Sequence, residues 1–316
     1  MNQTSYPTVS ICCITYNHEK YIRDALEGFV MQKTNFKFEA IVHDDASTDN
    51  TTTIIREYAE KYPDIIKPII ETENQFSKQD GSLNKIMISA CKGKYIAFCE
   101  GDDYWTDPYK LQKQVDFMEN HPGCSLTYHA CENLFETSNV YGLYGDTVEP
   151  SYTSITLLQS YFHTATIVVR NDVFKSDLYK KALATKCKSG DTILCLAASR
   201  MGTLNGFNEK MSAYRRHDKG FSFDLESPKN FINNYKSWIA VSHLFGTDVK
   251  KWLEEHRLAI YIVKSFRLKN INLLSQLVIY GIIYSPNSVK HALLQIVKII
   301  STKYHLIHII HKHNLQ

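Results

Sequence analysis

Three carboxylates stand within four residues at Glu100-Gly101-Asp102-Asp103. Like charges at that spacing repel strongly unless a cation lies among them. Hard oxygen donors select Mg²⁺ or Mn²⁺ over softer metals, and magnesium usually takes one or two protein carboxylates, then fills its shell with water and phosphate oxygens. The calcium-loop spacing is absent. The plainer reading is a solvated acidic turn, with Asp107 capping the helix that follows. A second acidic cluster is His43-Asp44-Asp45-Ala46-Ser47-Thr48-Asp49. One of its carboxylates can accept an N–H or O–H from a nucleobase or ribose. A helix N-terminus at this place favours anions. The same residues also read as an acidic turn whose Ser47, Thr48 or Asp49 caps a helix.

These clusters need elements to hold them. Val9–Thr15 is a β-branched, apolar run and reads as a buried strand. A helical spacing of Tyr21, Ile22, Ala25, Leu26 and Phe29 follows over 19–32. Strand 38–42 ends at His43-Asp44-Asp45; helix 49–62 is stopped by Pro63; strand 65–70 and helix 83–91 come next. Strand 95–99 ends at Glu100, and Asp107-Pro108 opens a helix running to about His121-Pro122. Strand and helix thus alternate four times, which predicts a mostly parallel sheet covered by helices on both faces. Ligands of such sheets bind beyond the carboxyl ends of the strands. Thr15-Tyr16-Asn17-His18 and both acidic clusters fall on that edge. Beyond it the pattern is less regular, with strands expected over 125–128, 166–169 and 211–214 and a helix over 191–201. Helical spacing then dominates over 238–245, 252–266, 273–284 and 289–300. The stretch 221–230, with Ser222, Ser227 and Pro228, reads as a boundary. It divides the chain into an α/β domain over 1–224 and a helical extension over 225–316.

The 316 residues and 44% hydrophobic content allow a packed core and exclude global disorder. The eight cysteines form no CxxC pair and no Cys/His zinc spacing, and several sit in apolar runs. They read as buried, reduced thiols of a cytosolic protein. The polar start, residues 1–7, lacks the pattern of a signal peptide. The longest apolar stretch, 271–284, is interrupted by Asn272, Ser275 and Gln276 and is too short to span a bilayer. The net charge of +3 hides an asymmetry, because residues 225–316 carry twelve Lys/Arg against four Asp/Glu and the remainder 24 against 29. A basic, apolar-rich tail suits attachment to an anionic inner membrane leaflet, or else forms a lid or dimer contact. His305, His308, His311 and His313 in that tail read as titratable surface charge. Nucleic acid is not among the expected partners.

Three blocks resemble those of inverting family 2 glycosyltransferases with the GT-A fold. They are Ile14-Thr15-Tyr16-Asn17-His18-Glu19-Lys20-Tyr21-Ile22, Val42-His43-Asp44-Asp45-Ala46-Ser47-Thr48-Asp49-Asn50-Thr51, and Tyr95-Ile96-Ala97-Phe98-Cys99-Glu100-Gly101-Asp102-Asp103-Tyr104-Trp105. The second is similar to that family's DDGSTDGT pattern and the third to its DxDD-x-W pattern. The resemblance spans about residues 7 to 218, roughly one ordinary domain. It implies that Thr15, Tyr16, Asn17 and Asp44 or Asp45 cradle the donor's base. It implies that Asp102 touches ribose and metal, and that Asp103 holds Mn²⁺ or Mg²⁺ on the diphosphate. Ala46 replaces the usual glycine and Glu100 the usual first aspartate.

Ser189-Gly190-Asp191-Thr192-Ile193-Leu194 resembles the segment that carries that family's catalytic base. This makes Asp191 the expected acceptor of the hydroxyl proton, and a helix N-cap otherwise. Tyr214-Arg215-Arg216-His217 with Ser222 resembles the segment whose basic residues approach the diphosphate, and paired guanidinium forks suit phosphate. His163-Thr164-Ala165-Thr166 and Arg170 are weaker matches to the acceptor side. The implied activity is transfer of a hexosyl unit from a nucleotide-sugar donor, a UDP-sugar foremost, to a glycan or lipid-linked acceptor in surface-polysaccharide synthesis. A nucleotidyltransferase that makes a nucleotide sugar shares the architecture, but Thr15 to Lys20 lacks the glycines of its phosphate loop. An inactive nucleotide-sugar-binding homologue is the other alternative. GxGxxG, GxxxxGK[ST] and GxSxG are all missing, which removes dinucleotide oxidoreduction, P-loop hydrolysis and the nucleophile elbow.

Overall fold

In the computed structural model β1 (Val9–Thr15) lies inside the sheet, with residues facing both sides almost wholly buried. The structure describes residues 6–136, 145–159, 162–185, 187, 189–217, 228–267 and 269–313, with no side-chain description for 228–231, 264, 300 and 302–313. The chain divides into two compact units, residues 1–183 with 189–220, and residues 184–188 with 221–316.

The first unit alternates as the sequence predicts. After β1 come α1 (Ile22–Val30), β2 (Phe38–Asp44), α2 (Thr51–Lys61), β3 (Ile66–Ile70), α3 (Ser82–Ala90) and β4 (Tyr95–Phe98). Next are β5 (Tyr104–Trp105), α4 (Lys110–Asn120), β6 (Cys124–Phe135), α5 (Ser154–Gln159), β7 (Val168–Arg170), α6 (Asp172–Lys175), α7 (Asp177–Ala184), α8 (Gly190–Ser199) and β8 (Thr203–Arg216). The sheet order is β3-β2-β1-β4-β7-β6-β8-β5. β1/β2, β2/β3, β1/β4 and β6/β8 pair in parallel, whereas β7 runs antiparallel to β4 and β6, and β5 antiparallel to β8. The sheet is α/β and mixed, with its parallel half at the N-terminal end of the chain. The segments from β1 to α1, β2 to α2 and β3 to α3 all leave the carboxyl ends of parallel strands, so these loops collect on one edge.

Alternation sorts β1 cleanly. Val9, Ile11 and Cys13 join a core with Leu26 and Phe29 of α1, Ile55 of α2 and Trp105. Cys12 and Ile14 face the other side, toward α3 and α8. Gly28 is needed for the close approach of α1 to β5, since a Cβ there would lie 2.9 Å from Trp105 N. The long strands β6 and β8 exceed the segments 125–128 and 211–214 expected from the sequence. Register shifts between His129 and Cys131 break their alternation, and polar Glu132, Glu209 and Lys210 lie within them. Residues 164–166 form a 3₁₀ turn ahead of β7, where strand had been expected from 166. All eight cysteines are buried and unbridged.

The second unit contains α9 (Pro228–Ser242), α10 (Thr247–Trp252), α11 (Leu258–Arg267), α12 (Ile271–Tyr284) and α13 (Pro286–His313), with a π-helical turn over Leu253–Arg257. That turn interrupts the single helix expected over 252–266. Leu258, Ile262, Leu273, Leu277, Val289 and Ala292 form its core. Gly281 lets α12 meet α13, because a Cβ there would sit 2.5 Å from Val289 Cγ2. The expected boundary at 221–230 falls mostly outside the described residues, as do the side chains of His305, His308, His311 and His313. No helix among the described residues is long and apolar enough to cross a membrane.

Candidate active site

The carboxyl ends of β1, β2 and β4 come together as the sequence predicts. Asn17, in a left-handed conformation at φ 55° that asparagine tolerates, ties the first two ends. Its Oδ1 accepts from Thr48 N at 2.8 Å, and its own N–H donates to Ser47 Oγ at 2.9 Å. Tyr16 beside it is 45% exposed. Thr15 is buried beneath the acidic turn. A Cβ on Gly101 would come within 2.5 Å of Thr15 Oγ1 and 3.1 Å of His18 Nδ1, so only glycine lets the turn cross the end of β1.

The two aspartates ending β2 differ. Asp44 is wholly buried; its Oδ1 accepts from Ser47 N at 3.1 Å and from the Ser47 hydroxyl, and its Oδ2 from the Thr52 hydroxyl. It braces the start of α2, with three donors on its carboxylate. Asp45 accepts from Gln75 N at 2.7 Å and Phe76 N at 3.0 Å, one bond to each oxygen, so lone-pair capacity remains beside the 74–76 loop. Helix capping here falls to Asp49, whose Oδ1 accepts from Thr51 N at 3.0 Å, while Asn50 occupies the cap position without a side-chain bond. Asp107 likewise accepts from Tyr109 N at 2.7 Å, ahead of the helix it was expected to cap.

The acidic turn splits into two donor clusters. On its buried side Glu100, Asp103 and His163 present ligand atoms all within 4.8 Å of one another. Asp103 is only 2% exposed; its Oδ1 accepts from Arg215 N at 2.8 Å and its Oδ2 lies 3.5 Å from His163 Nδ1. On the more open side, Asp102 Oδ2 lies 3.2 Å from His217 Nε2 and 3.8 Å from His18 Nε2, and both rings leave Nδ1 buried without a hydrogen-bond partner. Burial, followed by the charge of Asp102, pushes the Glu100 carboxyl up to about 7. Burial and the charges of Asp102 and Glu100 drive Asp103 well above the usual carboxylate range. Burial also works to raise Asp102, but the hydrogen bond from His217 and the His18 ring outweigh it and hold its carboxyl below the usual range. Burial pushes the His163 imidazole down to about 4 against the pull of Asp102. A set of carboxylates that raise one another by mutual repulsion is what a cation relieves.

The donor set fits a divalent ion. Among the described residues, Glu100, Asp103 and His163 bring three ligand atoms within 4.8 Å of one another, and Asp102, facing His217 and His18, adds a hard oxygen on the more open side where water and phosphate oxygens have access. Asp103, expected from the sequence to be the chief ligand, has one oxygen committed to Arg215 N. It stands behind the turn with Glu100 and His163.

Asp191 sits in the first turn of α8, not at its cap, and its Oδ1 accepts from Thr192 N at 2.7 Å. It shares with Glu100 and Thr164 a cavity of about 200 Å³ that continues between α3 and α8 over the apolar face of β1 and β4. Thr164 Oγ1 donates to Glu100 Oε2 at 3.0 Å and fixes that carboxylate at the polar end.

The basic residues have partners within the protein. Arg215 was expected on the diphosphate, but its guanidinium donates to Asp102 O at 2.9 Å and to Asp24, and stacks 4.6 Å from the Tyr104 ring centroid. It locks the acidic turn to α1. Arg216 lies over the rings of Phe135 and Tyr214, each 5.7 Å away. Arg170, matched to the acceptor side, donates to Cys124 O and Met118 O at 2.6 and 3.0 Å. It pairs with Tyr95 at the opposite end of β4 and only braces the sheet. Sequence reasoning missed His18 and the pairing of Asp103 with His163. The signal available was His18 directly after the Thr15-Tyr16-Asn17 block.

The glycosyl transferase family 2 model matches residues 10–183. The Mycobacterium tuberculosis protein Rv1520 is 36% identical over 214 residues, covering 67% of this chain and 60% of its own length, so the chain spans less than two thirds of that relative. Among solved structures, Staphylococcus aureus TarS 1-349 in complex with UDP-GlcNAc matches with a TM-score of 0.60 at 18% identity, over 82% of this chain and 73% of that one. The Pyrobaculum calidifontis mannosyltransferase PcManGT, in complex with GDP-Man and Mn²⁺, matches with a TM-score of 0.55 at 15% identity, over 95% and 82%. These two likenesses concern the fold, which is of the GT-A type. With more than half of its length matched by the family model, this chain belongs to glycosyl transferase family 2.

Proposed function

We propose that this chain transfers a hexosyl unit from a nucleoside-diphosphate sugar, a UDP-sugar foremost, to a hydroxyl of a glycan or lipid-linked acceptor, with inversion. Residues 1–224 form the transferase and 225–316 an extension that meets the inner membrane leaflet. The observation that carries the reading is the joint placement of Asp191 and Glu100 on one cavity, next to the Asp102–His217 pair.

Tyr16 and Asp45 border the base, with Asn17 and Thr15 shaping the end of β1 beneath it. Asp102, His217 and His18 are the residues that hold Mn²⁺ or Mg²⁺, the mixed oxygen and nitrogen set favouring Mn²⁺. Asp103 and Arg215 fix the turn that presents Asp102. When bound, the cation neutralises charge that develops on the departing nucleoside diphosphate. Asp191 accepts the proton of the acceptor hydroxyl as its oxygen bonds to the anomeric carbon. The bond from that carbon to the diphosphate oxygen breaks in the same displacement, and the pair of electrons leaves with the nucleoside diphosphate. Glu100, with a carboxyl raised to about 7 and therefore about half protonated near pH 7, donates or accepts a hydrogen bond at the sugar and adds less than a full second charge beside Asp191.

The test is release of nucleoside diphosphate from a panel of UDP- and GDP-hexoses with Mn²⁺, with and without a lipid-linked saccharide acceptor. The reading expects acceptor-dependent release and a product of inverted anomeric configuration by NMR. Pyrophosphate formation from a nucleoside triphosphate and a sugar phosphate would instead identify a nucleotidyltransferase. Binding without turnover across the panel would contradict transfer.

A further inference from the structure

More than half of the large apolar side chains that the described residues expose fall within 271–297, a small part of the chain. At the end of α12, Ile279, Ile282, Ile283 and Tyr284 are 60–66% exposed. In the first half of α13, Leu293, Leu294 and Val297 are 52–58% exposed. These are not misplaced core residues. α12 already buries Leu273, Leu277 and Gly281, and α13 buries Val289 and Ala292, in the core of the second unit. Each helix therefore has an inward apolar stripe and a second apolar stripe that is exposed among the described residues. Exposed apolar bands of this kind mark interaction surfaces.

Charge says what covers it. From His256 to Gln316 the sequence holds eight Lys/Arg and no Asp or Glu. Lys290 and Lys298 stand one helical turn to either side of Leu294, and both lie at exposed positions. α12 itself carries no charged side chain. Glu254 and Glu255 stand by the turn between the two helices, beside Tyr284 and Pro286, whereas the exposed stripe of α13 is flanked by Lys290 and Lys298. An apolar stripe flanked by cations fits the boundary between acyl chains and anionic headgroups, where apolar side chains enter and the lysine ammonium groups remain among the phosphates.

We propose that the α12–α13 hairpin is a docking face for an anionic bilayer surface, with Ile279, Ile282, Ile283, Leu293, Leu294 and Val297 as the inserting residues. The helices lie in the interface and do not cross it, in keeping with the absence of a spanning helix among the described residues. This rests on the membrane contact proposed above for 225–316 and names the face that makes it; it does not depend on sugar transfer, since the face is built only from the second unit.

The test is co-sedimentation of the full chain with vesicles of phosphatidylglycerol mixed into phosphatidylcholine, against vesicles of phosphatidylcholine alone. Binding to the anionic vesicles, weakened by salt, is expected, with partition reduced about tenfold or more by the pair Ile282→Glu and Ile283→Glu. Circular dichroism checks that the variant folds. Should it not fold, the pair Lys290→Gln and Lys298→Gln decides, with partition to anionic vesicles expected to fall about severalfold. Equal sedimentation of wild type and a folded variant, or no binding to either vesicle, overturns the proposal. So does light scattering that shows a dimer which the same substitutions dissociate, for then the face is a contact between copies. Release of nucleoside diphosphate to a soluble acceptor, measured in parallel, stays unchanged in these variants and keeps the two readings separable.

Discussion

Two Asp-Asp pairs, Asp44-Asp45 after β2 and Asp102-Asp103 after β4, lie on either side of β1 at the same edge of one sheet, yet they have become different things. The first pair is held by neutral donors: the hydroxyls of Ser47 and Thr52 on Asp44, and the backbone N–H groups of Ser47, Gln75 and Phe76. Such donors make Asp44 a brace and hold Asp45 in place while leaving it lone-pair capacity beside the 74–76 loop. The second pair faces three imidazoles and another carboxylate, with Asp102 one-fifth exposed. Its charges are crowded and only partly answered, an arrangement that costs stability unless a cation binds. A pair of acidic residues becomes a brace or a site according to whether its partners are neutral or titratable.

The comparison breaks most sharply on activity. Asp191→Asn and Asp102→Asn are each expected to lower acceptor-dependent release of nucleoside diphosphate by about 10²–10⁴-fold while leaving the melting temperature nearly in place. Full turnover by Asp191→Asn would remove it as the base. Asp44→Ala should do the reverse to the fold. It strands the half-buried Ser47 and Thr52 hydroxyls and the Ser47 N–H, and an unfolding free energy lower by about 2–3 kcal/mol is expected in urea titration. A loss no larger than that of Asp102→Ala would erase the distinction between brace and site.

A finer test uses pH. The Glu100 carboxyl rises from an ordinary 4.5 to about 7, so folding favours its protonated form. Below about pH 4.5 the group is neutral in both folded and unfolded chains and costs nothing. Between pH 4.5 and 7 the penalty grows, and above pH 7 it is complete. Glu100→Gln should therefore raise the melting temperature at pH 8 in the presence of EDTA and leave it unchanged at pH 4. The smallest effect concerns Ala46, held at φ 64° in the loop behind Asp45. Ala46→Gly is expected to stabilise by about 0.5–1 kcal/mol in the same urea titration, the relief of left-handed strain exceeding the added chain entropy.

Much of this was legible in the residues. The alternation of apolar runs places β1 to β4 and their helices within a few positions, because β1, β2 and β4 are largely buried on both faces and the helices between them on one. The convergence of Asn17, Asp45 and Asp102 follows from strand ends alone. What the sequence could not show was which oxygens the protein itself would consume. Asp44 and Asp45 are the same residue type one position apart, and only the pleat decides that one meets Ser47 and Thr52 and the other the 74–76 loop. Arg215 resembles a phosphate ligand by its neighbours in sequence, yet β8 carries it across the turn to Asp24 and Tyr104, contacts of long sequence separation that no local pattern records. The extent of β6 and β8 escaped for another reason, since bulges reset the period on which strand reading depends.

The central claim is that Asp102 and His217 hold a divalent cation against the diphosphate of a nucleotide sugar. Electron spin echo spectroscopy of Mn²⁺ with the protein and UDP tests it most directly. The account predicts bound Mn²⁺ with a nitrogen coupling from imidazole, weakened in His217→Gln, and Mn²⁺ affinity lower by about tenfold or more in Asp102→Asn. A spectrum of the fully hydrated ion at saturating UDP, with no nitrogen coupling and no change in either variant, would contradict it.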